Sequence, residues 1–209
     1  MCSKIVYFTC YHLNKLSMKK TFALLLLTFL SATLFAQKFG VRAGLNFSNA
    51  SISNFSPSVS TGLNAGIFLN FHVAAVVSIQ PELAYSTMGE KYTYSVSSGT
   101  TKSLANVKNY LQLPVLLRVK FPLTGLAVYA GPQYGILLSA NQTVEGVTND
   151  VKSSYKSGEF SAVGGIEYSL PFGLFGTVRY QAGLSNISND PTIDTQKNSA
   201  VTVLVGFKF

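Results

Sequence analysis

From Lys38 to the terminal Phe209 the chain is a series of alternating stretches, each roughly ten residues long, whose connectors run long, short, long, short, long, short, long. A bilayer core offers no water to backbone amides, so an antiparallel sheet can cross it only by closing into a barrel. Each crossing strand needs about 9–11 residues. The alternation predicts strands over 38–48, 61–71, 76–86, 109–121, 126–138, 159–170, 174–184 and 200–209. The long connectors are then 49–60, 87–108, 139–158 and 185–199, and the short ones 72–75, 122–125 and 171–173. Outer-membrane barrels have short periplasmic turns and longer outer loops, and all seven connectors fall on the expected side. The expected fold is all-β: an eight-stranded antiparallel transmembrane β-barrel with an up-and-down meander.

Side chains alternate across a strand, so each segment sorts into two faces. Val77, Ile79, Pro81, Leu83 and Tyr85 share one parity, against Ser78, Gln80, Glu82, Ala84 and Ser86. Leu174, Val178, Tyr180, Ala182 and Leu184 oppose Thr177, Arg179, Gln181 and Gly183 in the same way. A soluble β-sandwich or lipocalin would turn its apolar face inward. Here the charges Arg42, Glu82, Arg118, Lys120, Glu167 and Arg179 all share the parity opposite the apolar one. Arg or Lys facing lipid at mid-depth costs about 2–4 kcal/mol, so the polar parity belongs to the lumen. Ions in a solid interior need partners. The expectation is a structural salt-bridge network with the two glutamates between the arginines, and with Glu167 near Arg179 across the 171–173 turn.

Glycines recur on the lumen parity at Gly40, Gly44, Gly66, Gly131, Gly135, Gly165, Gly183 and Gly206. Eight strands leave interior room for side chains only, whereas aqueous channels use about 16–18, so removing some side chains is a packing solution. His72, in the first short connector, has no cysteine or acidic neighbour in sequence and is not a candidate metal or catalytic residue. In the loop 87–108, Tyr92, Tyr94 and Val96 alternate up to Ser98-Gly99-Thr100. That pattern suits a hairpin projecting above the membrane and makes these three the candidate interaction residues.

The stretch from Met18, MKKTFALLLLTFLSATLFAQ, has two lysines, an apolar core from Phe22 to Phe35, and Ala36 before Gln37. It reads as a secretory signal peptide over 18–36, with the barrel domain at 37–209 and residues 1–17 an upstream extension from a mis-assigned start. Both cysteines, Cys2 and Cys10, lie in that extension, so the mature domain has neither disulfides nor thiolate metal sites. Four of the sixteen basic residues leave with residues 1–36 and none of the eight acidic ones does, which lowers the formal charge from +8 to +4. The remaining basic residues are scattered, with no cluster of the kind that neutralises a nucleic-acid backbone. Neither a cofactor nor nucleic acid is expected.

The segments GVRAGLNFS, YLQLPVLLRVKF, AGPQYGILLS, GGIEYSL followed by VRYQAGLSNI, and the closing VLVGFKF together resemble the PorT-like outer-membrane β-barrel family of Bacteroidetes, over 37–209. The resemblance implies an eight-stranded barrel in the outer membrane of a Gram-negative cell, reached by export through the inner membrane. It implies no settled activity. Phe207 and Phe209 are similar to the C-terminal aromatic signal that barrel-insertion machinery recognises. The partners expected are therefore outer-membrane lipid, that machinery, and an unidentified protein at the loops. Of three function classes, a non-enzymatic structural or interaction barrel is favoured over a small-solute or ion conduit. An accessory role in protein secretion is kept as a further alternative. A rim hydrolase ranks last, because the mature chain has no histidine in its long connectors to serve as base.

Overall fold

Strands β1 (Lys38–Ser51), β2 (Ser58–His72), β3 (Val77–Ser95), β4 (Thr101–Lys120), β5 (Leu126–Val144), β7 (Gly158–Ser169), β8 (Leu174–Gly183) and β9 (Lys197–Lys208) form the wall, with a short β6 (Val147–Asp150) beside β5. This computed structural model describes residues 38–51, 58–95, 101–189 and 195–209. The expected upstream extension and signal peptide lie outside the described residues. Every neighbouring pair is antiparallel, and β1 pairs with β9, Gly40 opposite Lys208 through Ser51 opposite Lys197, so the sheet closes. β6 pairs only with β5, which leaves eight strands in the barrel, as expected.

The two faces follow the parity of the sequence. Val41, Leu45, Ile67, Leu83, Leu117, Val178, Val203 and Val205 stand exposed on the outside, while Arg42, Asn46, Gln80, Glu82, Gln112, Arg179, Gln181 and Thr202 are buried inside. This is the reverse of a water-soluble barrel and matches a wall solvated by lipid. Three aromatic rings inside lie over glycines on the adjoining strand. Gly40 is paired with Phe68, Gly165 with Tyr129 and Gly206 with Phe175. A Cβ at those glycines would fall 2.2, 2.5 and 2.3 Å from the respective ring or hydroxyl atoms. These three glycines are therefore the space into which the neighbouring rings fold.

Three strands, β3, β4 and β5, extend six or more residues further at the long-loop end than the sequence reading assigns. The residues read as a loop over 87–108 are largely a two-stranded ribbon, paired up to Ser95 opposite Thr101. Tyr92 and Tyr94 sit in it opposite Leu104 and Lys102; Val96 and the conformation of the tyrosine side chains lie outside the described residues. β-branched and aromatic residues favour a pleated strand even beyond the apolar band. The loop 139–158 is likewise corrected. β5 continues to Val144 and turns back into β6 through Glu145 (φ 49°) and Gly146 (φ 86°). Two successive positive φ angles are what a tight two-residue hairpin needs, and the Glu-Gly pair between Thr-Val and Val-Thr is its signal. A bulge between Asn109 and Tyr110 of β4 and Leu137–Ser139 of β5 separates this projecting part from the wall below.

At the opposite end the turns are short. Leu123 (φ 66°) with Gly125 (φ 74°), and Phe172 (φ 66°) with Gly173 (φ 91°), reverse the chain in two of them. A bulky non-glycine residue in the left-handed region is strained by roughly 1–3 kcal/mol.

Candidate functional site

The lumen is filled by polar side chains in layers. Nearest the short turns, Glu82 on β3 lies between two arginines from other strands. Arg179 on β8 donates through Nη1 to Glu82 Oε2 at 3.0 Å and through Nη2 to Oε1 at 3.3 Å, a two-pronged fork across the lumen. Arg42 on β1 brings Nη2 to 2.7 Å from Glu82 Oε2 as an ion pair, although its N–H groups are not aligned as hydrogen bonds. Gln80 Nε2 donates to Glu82 Oε1 at 2.7 Å. The Arg179 guanidinium also lies 5.2 Å from the Tyr129 ring centre and donates through Nε to the Tyr129 hydroxyl at 3.2 Å. In the same half, Glu167 on β7 accepts from Arg118 Nη2 at 2.5 Å, from Ser169 Oγ at 3.0 Å and from Lys208 Nζ.

A neutral belt follows. Gln112 donates to Gln181 at 3.1 Å and accepts from Asn64 at 3.4 Å, while Asn46 joins Ser86 at 2.6 Å and Thr202 at 2.7 Å. Towards the long loops lies a second charged layer. Lys108 Nζ donates to Glu90 Oε2 at 2.8 Å and to Asn198 Oδ1 at 3.1 Å. Asn198 Nδ2 donates to Glu159 Oε2 at 2.7 Å and to the Tyr110 hydroxyl at 3.2 Å. The Tyr155 ring covers Lys108 at 5.0 Å. All of these ions are taken from water, so each depends on its partners; removing one member of a buried pair typically costs about 3–5 kcal/mol.

The structure pairs Arg42 and Arg179 with Glu82, and Arg118 with Glu167, in two clusters with no ion pair between them among the described residues. It corrects two of the expectations. Lys120 is not in the network: it ends β4 exposed at the short-turn rim. Glu167 does not meet Arg179, because the β7–β8 register sets Glu167 opposite Thr177 and Arg179 opposite Gly165. Glu167 instead reaches Arg118 and Lys208. Four charged members escaped the sequence reading. Glu159 and Lys208 carry the lumen parity of their strands and were legible by that rule. Glu90 and Lys108 were hidden, because their segments read as loop. Phe207 faces outward, and Phe209 donates its N–H to Phe39 O at 2.8 Å while its ring stacks on Phe39.

At the short-turn end the lumen opens into a cavity of about 390 Å³ lined by Lys38, Asn70, His72, Arg118, Lys120 and Lys208, among others. The His72 imidazole, at this rim beyond the apolar band, has its pKa held below the usual value by partial burial. The positive charges of Lys38, Arg118, Lys120 and Lys208 act in the same direction. At the other end a hollow is lined by Asp150, Lys152, Tyr155 and Asn189. Among the described residues no group of three His, Cys, Asp or Glu side chains could hold a metal ion.

A family model described as "Outer membrane protein beta-barrel domain" matches residues 22–209. No curated protein matches the chain. Among solved structures, Neisserial surface protein A is similar at 14% identity and a TM-score of 0.51, over 82% of this chain and 97% of that one. The attachment invasion locus protein Ail of Yersinia pestis is similar at 11% identity and a TM-score of 0.47, over 82% and 98%. The N-terminal β-barrel domain of Pseudomonas aeruginosa OprF is similar at 12% identity and a TM-score of 0.42, over 82% and 97%.

Proposed function

The chain belongs to the outer membrane protein beta-barrel family, and from that premise we propose that it is a packed, non-enzymatic anchor whose long-loop end works by contact with a protein partner. The observation that carries this reading is the filled lumen. Glu82, Arg42 and Arg179 meet from three separate strands, and Arg118, Glu167 and Lys208 from three more. These contacts tie together strands that are not neighbours in the wall and fill the bore where a conduit would need water. With the short turns in the periplasm, the β3–β4 ribbon and the β5–β6 hairpin stand on the outer side, tipped by polar and aromatic residues. The likeness to PorT-like barrels keeps an accessory role in protein secretion as the alternative, although no short motif in the chain carries that role.

Two measurements test the proposal together. Crosslinking with mass spectrometry on native outer membranes, with a tag inserted at the exposed Glu145–Gly146 turn, should give reproducible links from the loop end to one defined protein. Planar bilayers containing the folded barrel should stay silent. Discrete conductance steps that change on Glu82→Gln, with no protein crosslinked at the loops, would replace the anchor by a conduit.

A further inference from the structure

We infer that the cavity at the short-turn mouth is an anion site that takes a phosphate group, either free or as the head of a phosphate monoester. Four cationic side chains, those of Lys38, Arg118, Lys120 and Lys208, converge on it. Against them stands Glu167, already bonded by Arg118, Lys208 and Ser169. The formal balance of these side chains is four positive charges to one negative, an excess of +3. Lys38 and Lys120 enter no ion pair among the described residues, so the excess sits at the rim, where a ligand would arrive.

Two buried atoms say more about the ligand. Arg118 Nε has no hydrogen-bond partner, so one guanidinium donor remains unused although Nη2 is bound to Glu167. Asn70, also lining the cavity, has Oδ1 without a partner. Its orientation is fixed by a relay: Asn70 Nδ2 donates to Gln80 Oε1 at 2.9 Å, and Gln80 Nε2 donates to Glu82 Oε1 at 2.7 Å. A carboxylate bonded to two arginines only accepts, so the two amides cannot flip without losing the relay, and Asn70 must present an acceptor. Both atoms are closed to solvent, so a ligand reaches them only where the rim side chains give way; one that does so carries negative oxygens for the cations and one O–H for Asn70. Hydrogenphosphate offers both at neutral pH, and a phosphate monoester offers both in its singly protonated form; sulfate and phosphodiesters lack the donor. Leu170, Phe172 and Phe209 at the edge of the same cavity leave room for an apolar tail beside the head group.

His72 is the reporter, because an anion seated among these cations raises the pKa that they hold down. The full chain folded in a nonionic detergent is titrated by NMR, with the His72 signal told from that of His12 by the His72→Gln variant. Inorganic phosphate should raise the His72 pKa saturably beyond the rise that sodium chloride gives at equal ionic strength, where screening alone acts. Sodium sulfate should bind at least several-fold more weakly. Lys38→Gln and Lys120→Gln, which lie outside the buried network, should each weaken phosphate binding about three- to tenfold. Phosphatidic acid in the same micelles separates the sources: saturation by the lipid at lower concentration than by inorganic phosphate assigns a lipid head, and the reverse order assigns the free ion. A phosphate response equal to that of chloride, or one unchanged in the Lys38→Gln/Lys120→Gln double variant, would overturn the site.

Discussion

The two charged layers of the lumen are built differently. The layer near the short turns uses three arginines and Lys208 against Glu82 and Glu167, and its bonds run between strands that are not neighbours in the wall. The layer near the long loops uses one cation, Lys108, against Glu90 and Glu159, and spreads the charge through Asn106, Asn198, Gln196 and the Tyr110 hydroxyl. Planar guanidinium forks fix direction as well as charge, whereas an ammonium is a point charge that accepts several geometries. The first layer therefore ties the barrel across its bore. The second also crosses the bore, Lys108 and Tyr110 on β4 meeting Asn198 on β9, but through an amide rather than a fork between ions.

The largest effect should come from the short-turn layer. Arg179→Ala removes the fork to Glu82 and should destabilise the folded barrel by about 3–5 kcal/mol, read as a lower urea midpoint and early loss of the heat-modifiable band on gels. An unchanged midpoint would show that Arg42 alone satisfies Glu82. Lys108→Met in the other layer should cost less, about 1–3 kcal/mol, since Glu90 keeps Asn106 and Gln196. If the two variants lose equal stability, the contrast between the layers fails.

Glycine packing comes next. Gly206→Ala places a methyl 2.5 Å from Val41 O and 2.3 Å from Phe175 Cζ. The ring can turn but the carbonyl cannot, so the same unfolding assay should show a loss of about 1–3 kcal/mol. Gly176→Ala, where a Cβ meets nothing within 4 Å, is the matched control and should fall within about 0.5 kcal/mol of the parent. The smallest effect is expected at Glu159, which has an amide partner in Asn198 and no ion pair among the described residues. Glu159→Gln should leave stability within about 1 kcal/mol, and a large loss would place a cation beside it.

Strand count, closure and the assignment of faces were legible because lipid punishes a misplaced charge, so period-two alternation carries the whole wall. The partners of the ions were not legible to the same degree. Arg42, Glu82 and Arg179 could be grouped from parity, but the pairing of Glu167 depends on register. A shift of two residues between β7 and β8 preserves every face while changing who sits opposite Arg179. The upper layer was missed for a different reason. Glu90 and Lys108 lie where alternation becomes polar on both sides, and a polar strand looks like a loop until its partner is seen. Lys120 erred the other way: it keeps the lumen parity, but it ends its strand and side-chain length carries it to water.

The most direct test of a lumen held closed by ion pairs across the bore is a double-mutant cycle on Glu82→Gln and Arg179→Met, followed by urea unfolding of the folded chain in detergent. Glu82→Gln leaves two buried arginines without their carboxylate and Arg179→Met leaves Glu82 with Arg42 alone, so each should be costly, whereas the double change leaves only Arg42 unpaired and should cost less than the sum of the singles, a coupling of at least about 2 kcal/mol. Additive losses would mean that the two side chains do not depend on each other, and the packed lumen would have to be explained without them.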